Sequence, residues 1–357
     1  MIRAEYYVCI YLVVVTIMTL IYANKYKCYS LGKNETMLLV LLSLMMTLFI
    51  GFRPIYREFV DMMNYTLVYD YNLGMPFVFD WKSENLFFDN WFSFCSSSFF
   101  DKYIFFFSIA LIYFIGAAVA CRKLFKTHSV IAYLFFLGAF STFSYGTNGI
   151  KAGAAMSIFF LAVAWWNNKV VAIILLWVAL GFHHSMLLPI SAFVLCYFVH
   201  KPKWFFYGWL ICLFLSAVHV TSFMNVIADL VSGEDTRAAD YLVTNVEWGG
   251  KSGFRYDFVL YSAMPVLVGY YLILKCHVES RTYHFMWSLY CVINAFWLIC
   301  MYAQFTNRIA YLSWGIYPFV LCYPFLMVKF DDRQYKWLAN IAFLHLGFTL
   351  FMNIIYD

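Results

Sequence analysis

Charge is what this sequence lacks. Only 12% of its 357 residues are Asp, Glu, Lys or Arg, with 24 basic and 19 acidic side chains, about half the share usual in a water-soluble domain. So few ionised groups cannot solvate a chain of this size, which argues against a soluble enzyme and a disordered regulator. Concentrated positive charge is missing as well. The net charge is +5, but the basic residues are scattered one to three at a time between apolar runs, so no nucleic-acid partner is needed to explain them. The 10 cysteines include no C-x-x-C pair, and most sit in apolar runs as small hydrophobes, which sets zinc and redox roles aside. No H-E-x-x-H, G-x-S-x-G or carboxylate-rich metal motif is present. Gly249-Gly250-Lys251-Ser252 departs from a phosphate-binding loop because Asn245 stands where the first glycine is needed.

What the chain has is hydrophobicity: 64% of residues are apolar and the mean hydropathy is +0.74. A bilayer core of about 30 Å needs roughly 20 apolar residues in a helix. About twelve segments qualify, several of them short: Tyr6–Ala23, Met37–Phe52, Tyr103–Cys121, Val130–Tyr145, Ala152–Trp166, Val170–Phe182, Met186–His200, Trp204–Thr221, Phe258–Leu274, Phe285–Phe305, Ile309–Val328 and Trp337–Ile355. The expected fold is therefore an all-α polytopic membrane protein, with residues 1–357 forming one integral membrane domain. Lys25 and Lys27 follow the first segment, so it reads as an anchor with its N-terminus outside rather than as a cleaved signal. With the connections after every odd-numbered segment placed inside, most Lys and Arg fall inside, accompanied only by Glu35, Glu279, Asp331 and Asp332 among the acids. Two long outer connections remain, at 53–102 and 222–257. Within the first, Leu86–Phe100 suits either an amphipathic helix lying at the interface or a plain aromatic belt.

The middle of the chain is too short for full crossings. Val170–His200 is about 31 residues with basic residues at both ends, where two spans need about 40. Its polar tip, Gly181-Phe182-His183-His184-Ser185, is expected below the outer surface. The preceding hairpin, Val130–Trp166, has its own polar tip, Gly146 to Lys151. Polar tips at membrane depth are tolerated where they line protein or a water-filled cavity, so a cavity open to the outside and walled by these hairpins is expected.

Four polar clusters fall on this outer side. The first is Arg53, followed by Asp61 and Tyr65, which share a face if the segment is helical. The second is Asn148 with Lys151. The third is His183, His184 and Ser185, and the fourth is Asn307 with Arg308. Arg53, Lys151, Arg308 and Arg255 gather cations on an otherwise acidic side, a pattern suited to phosphate or pyrophosphate arriving from the membrane. Each also has a plainer reading as a snorkelling cation or a helix terminus. Asp61 and the histidines are candidates for moving a proton.

In this order the clusters resemble the EpsG branch of the Wzy-type polysaccharide polymerases. The resemblance is carried by Gly51, Arg53, Asp61 and Tyr65, then Asn148-Gly149-Ile150-Lys151, Phe182-His183-His184-Ser185 and Asn307-Arg308-Ile309-Ala310-Tyr311. Lys151-Ala152 stands where that family usually has Arg-Gln, which keeps the charge and loses the two-pronged grip on phosphate. The resemblance implies an enzyme of the bacterial inner (cytoplasmic) membrane, active on its periplasmic face. Such an enzyme transfers a growing chain from its undecaprenyl pyrophosphate to the next lipid-linked oligosaccharide unit. Donor and acceptor are both lipid-linked; no nucleotide sugar, cofactor or metal is implied, and a chain-length regulator is a further candidate partner. On this reading Arg53 and Arg308, with Lys151 or Arg255, hold the pyrophosphate. His183, or failing it Asp61, takes the proton, while Tyr65, Asn148, His184 and Asn307 line the substrate. A transporter or flippase of the lipid-linked oligosaccharide and a membrane O-acyltransferase are the competing readings.

Overall fold

Apolar runs with brief polar punctuation give a chain of helices. The computed structural model describes residues 2–27, 35–220, 253–303 and 306–354, and no strand occurs among them. In chain order the α-helices are α1 (Tyr7–Lys27), α2 (Thr36–Gly51), α3 (Val60–Tyr71), α4 (Leu86–Ser97), α5 (Lys102–Phe125), α6 (Ser129–Leu137), α7 (Phe140–Thr147), α8 (Ile150–Ala164), α9 (Lys169–Phe182), α10 (Leu187–Phe198) and α11 (Pro202–Ala217). After residues 221–252, which include most of the expected second outer connection, come α12 (Tyr256–Gly269), α13 (Arg281–Ile299), α14 (Thr306–Trp314), α15 (Tyr317–Met327) and α16 (Gln334–Ile354). Helix starts follow local chemistry: the Asp101 carboxylate accepts the Tyr103 amide at α5, Asn168 accepts that of Val171 at α9, and Pro202 opens α11.

Five helical stretches are long and apolar enough to cross a membrane: Ala4–Tyr26, Lys102–Leu137, Tyr256–Lys275, Thr306–Met327 and Gln334–Ile354. Shorter apolar helices occupy Thr36–Gly51, Ile150–Ala164, Lys169–Phe182 and His184–Phe198. The outward faces are apolar. On α9, Val170, Ile173, Ile174 and Trp177 are all more than half exposed and recur at the spacing of one helix face, a stripe suited to lipid rather than water.

The connection 53–102 folds into α3 and α4, with α4 over the stretch read as an amphipathic helix or an aromatic belt. Two expectations change. The segment Ile309–Val328 is interrupted after Trp314, which separates α14 from α15. Val130–Tyr145 is likewise two helices, broken at Gly138-Ala139, and side chains compensate the break. The Gly138 amide donates to the Leu134 carbonyl (2.8 Å). Thr142 Oγ1 donates to the Phe136 carbonyl (2.6 Å), Tyr11 Oη to Leu137 (2.6 Å), His345 Nε2 to Phe135 (2.9 Å) and Thr349 Oγ1 to Gly138 (2.7 Å). Carbonyls exposed by a broken helix cost several kcal/mol each in hydrocarbon if unpaired, so α1 and α16 hold this break open by supplying donors.

The chain divides into two compact units, Met1–Leu187 with Phe325–Asp357, and Leu188–Pro324. In the first, α5 is central and packs against α2 and α8, α8 packs on α9, α4 lies against α9, and α1 pairs with α16. In the second, α13 packs against α11, α12 and α14. Its core is a lattice of indoles and small polar groups. Trp209 Nε1 donates to Asn294 Oδ1 (2.7 Å), Asn294 Nδ2 to Ser313 Oγ (3.0 Å), Trp314 Nε1 to Ser262 Oγ (2.8 Å) and Trp297 Nε1 to Thr306 Oγ1 (3.1 Å). Gly269 gives the Trp287 indole the space that a Cβ would fill, and that indole donates to the carbonyl of Pro265 (3.1 Å).

Candidate functional site

The first unit brings three of the four sequence clusters to one set of helix ends. Arg53 follows α2 and is 1% exposed. Its Nη1 donates to the Ile50 carbonyl (2.8 Å), closing α2, and Nη2 to the Thr147 carbonyl at the end of α7 (2.6 Å). The Phe59 and Phe106 rings lie 5.5 and 5.7 Å from the guanidinium, a cation–π arrangement. Burial lowers its pKa to about 10, which leaves it charged at neutral pH. Arg53 therefore joins two helix C-termini, where carbonyl dipoles favour a cation.

One turn of chain beyond Thr147, Lys151 sits in the first turn of α8, where a cation opposes the helix dipole and needs a carboxylate. Asp89 of α4 supplies it, with Nζ to Oδ1 at 2.7 Å. The second carboxylate oxygen accepts from Ser83 Oγ (2.7 Å), the Asn85 amide (3.3 Å) and Asn85 Nδ2 (3.4 Å). Partial burial raises the Asp89 pKa, but the Lys151 ammonium and the Ser83 and Asn85 donors outweigh it and hold the carboxyl below its ordinary value. The lysine also lies 4.8 Å from the Phe88 ring and 6.0 Å from that of Tyr65.

Asn85 continues the network to the tip of the next hairpin, where its Oδ1 accepts the His184 amide (3.1 Å). The His184 Nδ1 is 3.3 Å from Glu84 Oε1, at ion-pair distance. Gly181 allows this approach, because the Phe87 ring occupies the place where a Cβ would stand. His183 leaves α9 in an extended conformation and its Nδ1 accepts the Ser185 amide (3.0 Å). An accepting Nδ1 places the proton of the neutral ring on Nε2. At 14 residues, α9 is about 21 Å long, shorter than the roughly 30 Å hydrocarbon layer.

Asp61 and Tyr65 are both half-buried on helical α3, so their spacing of four does put them on one face. The Tyr65 ring lies tilted against Phe88, 5.7 Å between centroids, which ties α3 to the same region. Among the buried polar atoms without a hydrogen-bond partner in the described residues are Arg53 Nε and Asn148 Oδ1.

The remaining expected residues belong to the second unit. Arg255 precedes α12 and is clamped by Asp257 through Nε to Oδ1 (3.0 Å) and Nη2 to Oδ2 (2.6 Å), with the Phe258 ring 4.1 Å from its guanidinium. Asn307 and Arg308 are exposed in the first turn of α14. Asp89, Asn85 and Glu84 were missed by sequence reasoning. Their available signal was the start of an apolar helix after Ser83-Glu84-Asn85, with Asp89 in its first turn, a pattern of helix capping.

A family model described as the EpsG family matches residues 36–357, a span that includes every motif position from Gly51 to Tyr311. No curated protein and no solved structure matches the chain.

Proposed function

This chain belongs to the EpsG family, of polysaccharide polymerase-type membrane proteins, and from that premise we propose that it joins lipid-linked oligosaccharide units by glycosyl transfer. Donor and acceptor are carried on undecaprenyl pyrophosphate, and the reaction runs on the periplasmic face of a bacterial inner membrane. The observation that carries this reading is the convergence of Arg53, Lys151 and His184, separated widely in sequence, onto the ends of α2, α7, α8 and α9 through Thr147, Asp89 and Asn85.

Roles follow from the contacts. Arg308 on the first turn of α14 is the principal pyrophosphate ligand, since a helix N-terminus and an exposed guanidinium both favour an anion. Asn307 and Arg255 assist it, Arg255 by exchanging its Asp257 clamp for phosphate oxygens. Arg53 has both Nη groups engaged by carbonyls and acts as a positioning residue for the α7–α8 turn. Lys151, paired with Asp89, holds the start of α8 against α4 and positions the same turn. Asn148 Oδ1 and Arg53 Nε, buried without partners, suit sugar hydroxyls, because an unpaired buried polar atom costs about 1–3 kcal/mol until it is met. Asp61 is the better candidate for taking the acceptor proton: His183 already uses its Nδ1 lone pair on the Ser185 amide, and its Nε2–H is a donor. Tyr65 and His184 then shape the sugar subsite.

The test is a reaction of purified protein with a lipid-pyrophosphate repeat unit, read as a product ladder. A ladder that disappears in Asp61→Asn and Arg308→Ala supports the assignment. If the ladder survives Asp61→Asn and is lost in His183→Gln, the base moves to His183. Movement of intact lipid-linked sugar across liposomes without a ladder would replace the polymerase with a transporter.

A further inference from the structure

Away from these residues, the second unit contains a cavity of about 220 Å³ between the end of α10 and the start of α13. Its walls are one face of α13 and the segment that leaves α10 for α11. Arg281, His284, Phe285 and Ser288 recur at three, four and seven residues along α13, while Cys196 lies in the last turn of α10 and His200 just beyond it. The floor is buried and nearly apolar: Cys196 is 2%, Phe285 5% and Ser288 4% exposed. The rim carries the exposed Arg281 guanidinium, with the His200 ring exposed and the His284 ring half-buried beside it. No Asp or Glu is among its walls, and neither the Arg281 guanidinium nor the His200 ring has a polar partner among the described residues. His284 Nε2 donates to the Val278 carbonyl (2.7 Å), which fixes the ring at the cavity wall. Arg281 is also the first residue of α13, where the helix dipole attracts negative charge.

We infer that this cavity is a binding site for the phosphate of an anionic phospholipid. The rim supplies charge and the floor supplies apolar surface for the start of an acyl chain. A free phosphate needs only the first of these, so the apolar floor favours the lipid. Lys201 and Lys203 flank Pro202 of the cavity wall, and Lys275 lies six residues before Arg281, which is the sidedness expected of the anionic inner leaflet; basic pockets between spans on that side suit lipid head groups. The inference does not depend on the polymerase reading, since none of these residues has a role in it.

The experiment uses the full chain in nanodiscs of phosphatidylcholine containing a minor share of phosphatidylglycerol, with retained lipid counted by native mass spectrometry. The wild type is expected to retain phosphatidylglycerol in preference to phosphatidylcholine. Arg281→Gln is expected to lower that preference about fivefold, while Arg281→Lys keeps most of it. Lys329→Gln, an exposed cation in the other unit, is expected to leave it unchanged. Equal retention of the two lipids by the wild type would overturn the inference whether or not the variants fold. An equal loss in Lys329→Gln would also overturn it, by assigning the effect to diffuse surface charge. Displacement of the lipid by equimolar inorganic phosphate would reassign the cavity to a soluble anion.

Discussion

The two units handle their cations differently. In the first, Arg53 and Lys151 are held by groups far away in sequence: the Thr147 carbonyl 94 residues on, and Asp89 62 residues back. In the second, Arg255 is held by Asp257 two residues away, and Arg308 is exposed on the first turn of a helix. A cation with remote partners stitches helices together, and removing it leaves buried carbonyls or a carboxylate unpaired. A cation held by a near neighbour can exchange that neighbour for an arriving anion without disturbing helix packing. The first unit therefore builds and positions, while the second keeps its arginines available for exchange.

The sharpest way to break this contrast is to remove one arginine from each unit. Arg53→Ala should cost about 3–5 kcal/mol of stability, because the Ile50 and Thr147 carbonyls lose a charged donor inside the protein. The check is unfolding of the purified protein in detergent, and Arg53→Lys should recover only a fraction, since one ammonium cannot span both carbonyls. Arg308→Ala should lower the rate of polymer formation by about 10²–10³ and destabilise far less than Arg53→Ala, because the Arg308 side chain is exposed. An Arg308→Ala protein that melts early with normal activity would erase the distinction between the units.

Much of this was legible in the sequence, for reasons tied to particular residues. The short α9 and its polar tip follow from the residue count between Lys169 and Lys201, and the Asp61–Tyr65 face follows from helical spacing. The break at Gly138 was not legible, because its carbonyls are met by Tyr11, His345 and Thr349, and only tertiary packing brings those residues there. Asp89 was hidden for a related reason. The aromatic stretch from Leu86 was readable as an amphipathic helix, but local patterning does not reveal that the helix lies on α9 and that its one aspartate meets Lys151. The charge at Lys151 was visible, whereas its partner depended on which helix crossed it.

Asp89 gives the smaller tests of the same contrast. In a double-mutant cycle, Asp89→Asn and Lys151→Met should show a coupling of about 1 kcal/mol, modest because the pair is part-exposed, with side chains 22% and 34% accessible. The effect should depend on pH in one direction. The Asp89 carboxyl is held below its ordinary value, so the folded state binds its proton less readily than the unfolded state does. The stabilisation is therefore fully present above about pH 4, the ordinary aspartate value, and is lost as pH falls from there through the lowered pKa. Melting temperature followed into acid should fall more steeply in the wild type than in Asp89→Asn, and the two curves should approach each other at the acid end. Parallel curves would mean that Asp89 and Lys151 are neighbours without being coupled. The convergence of α4 and α8 would then rest on Phe88 and Tyr65 packing alone.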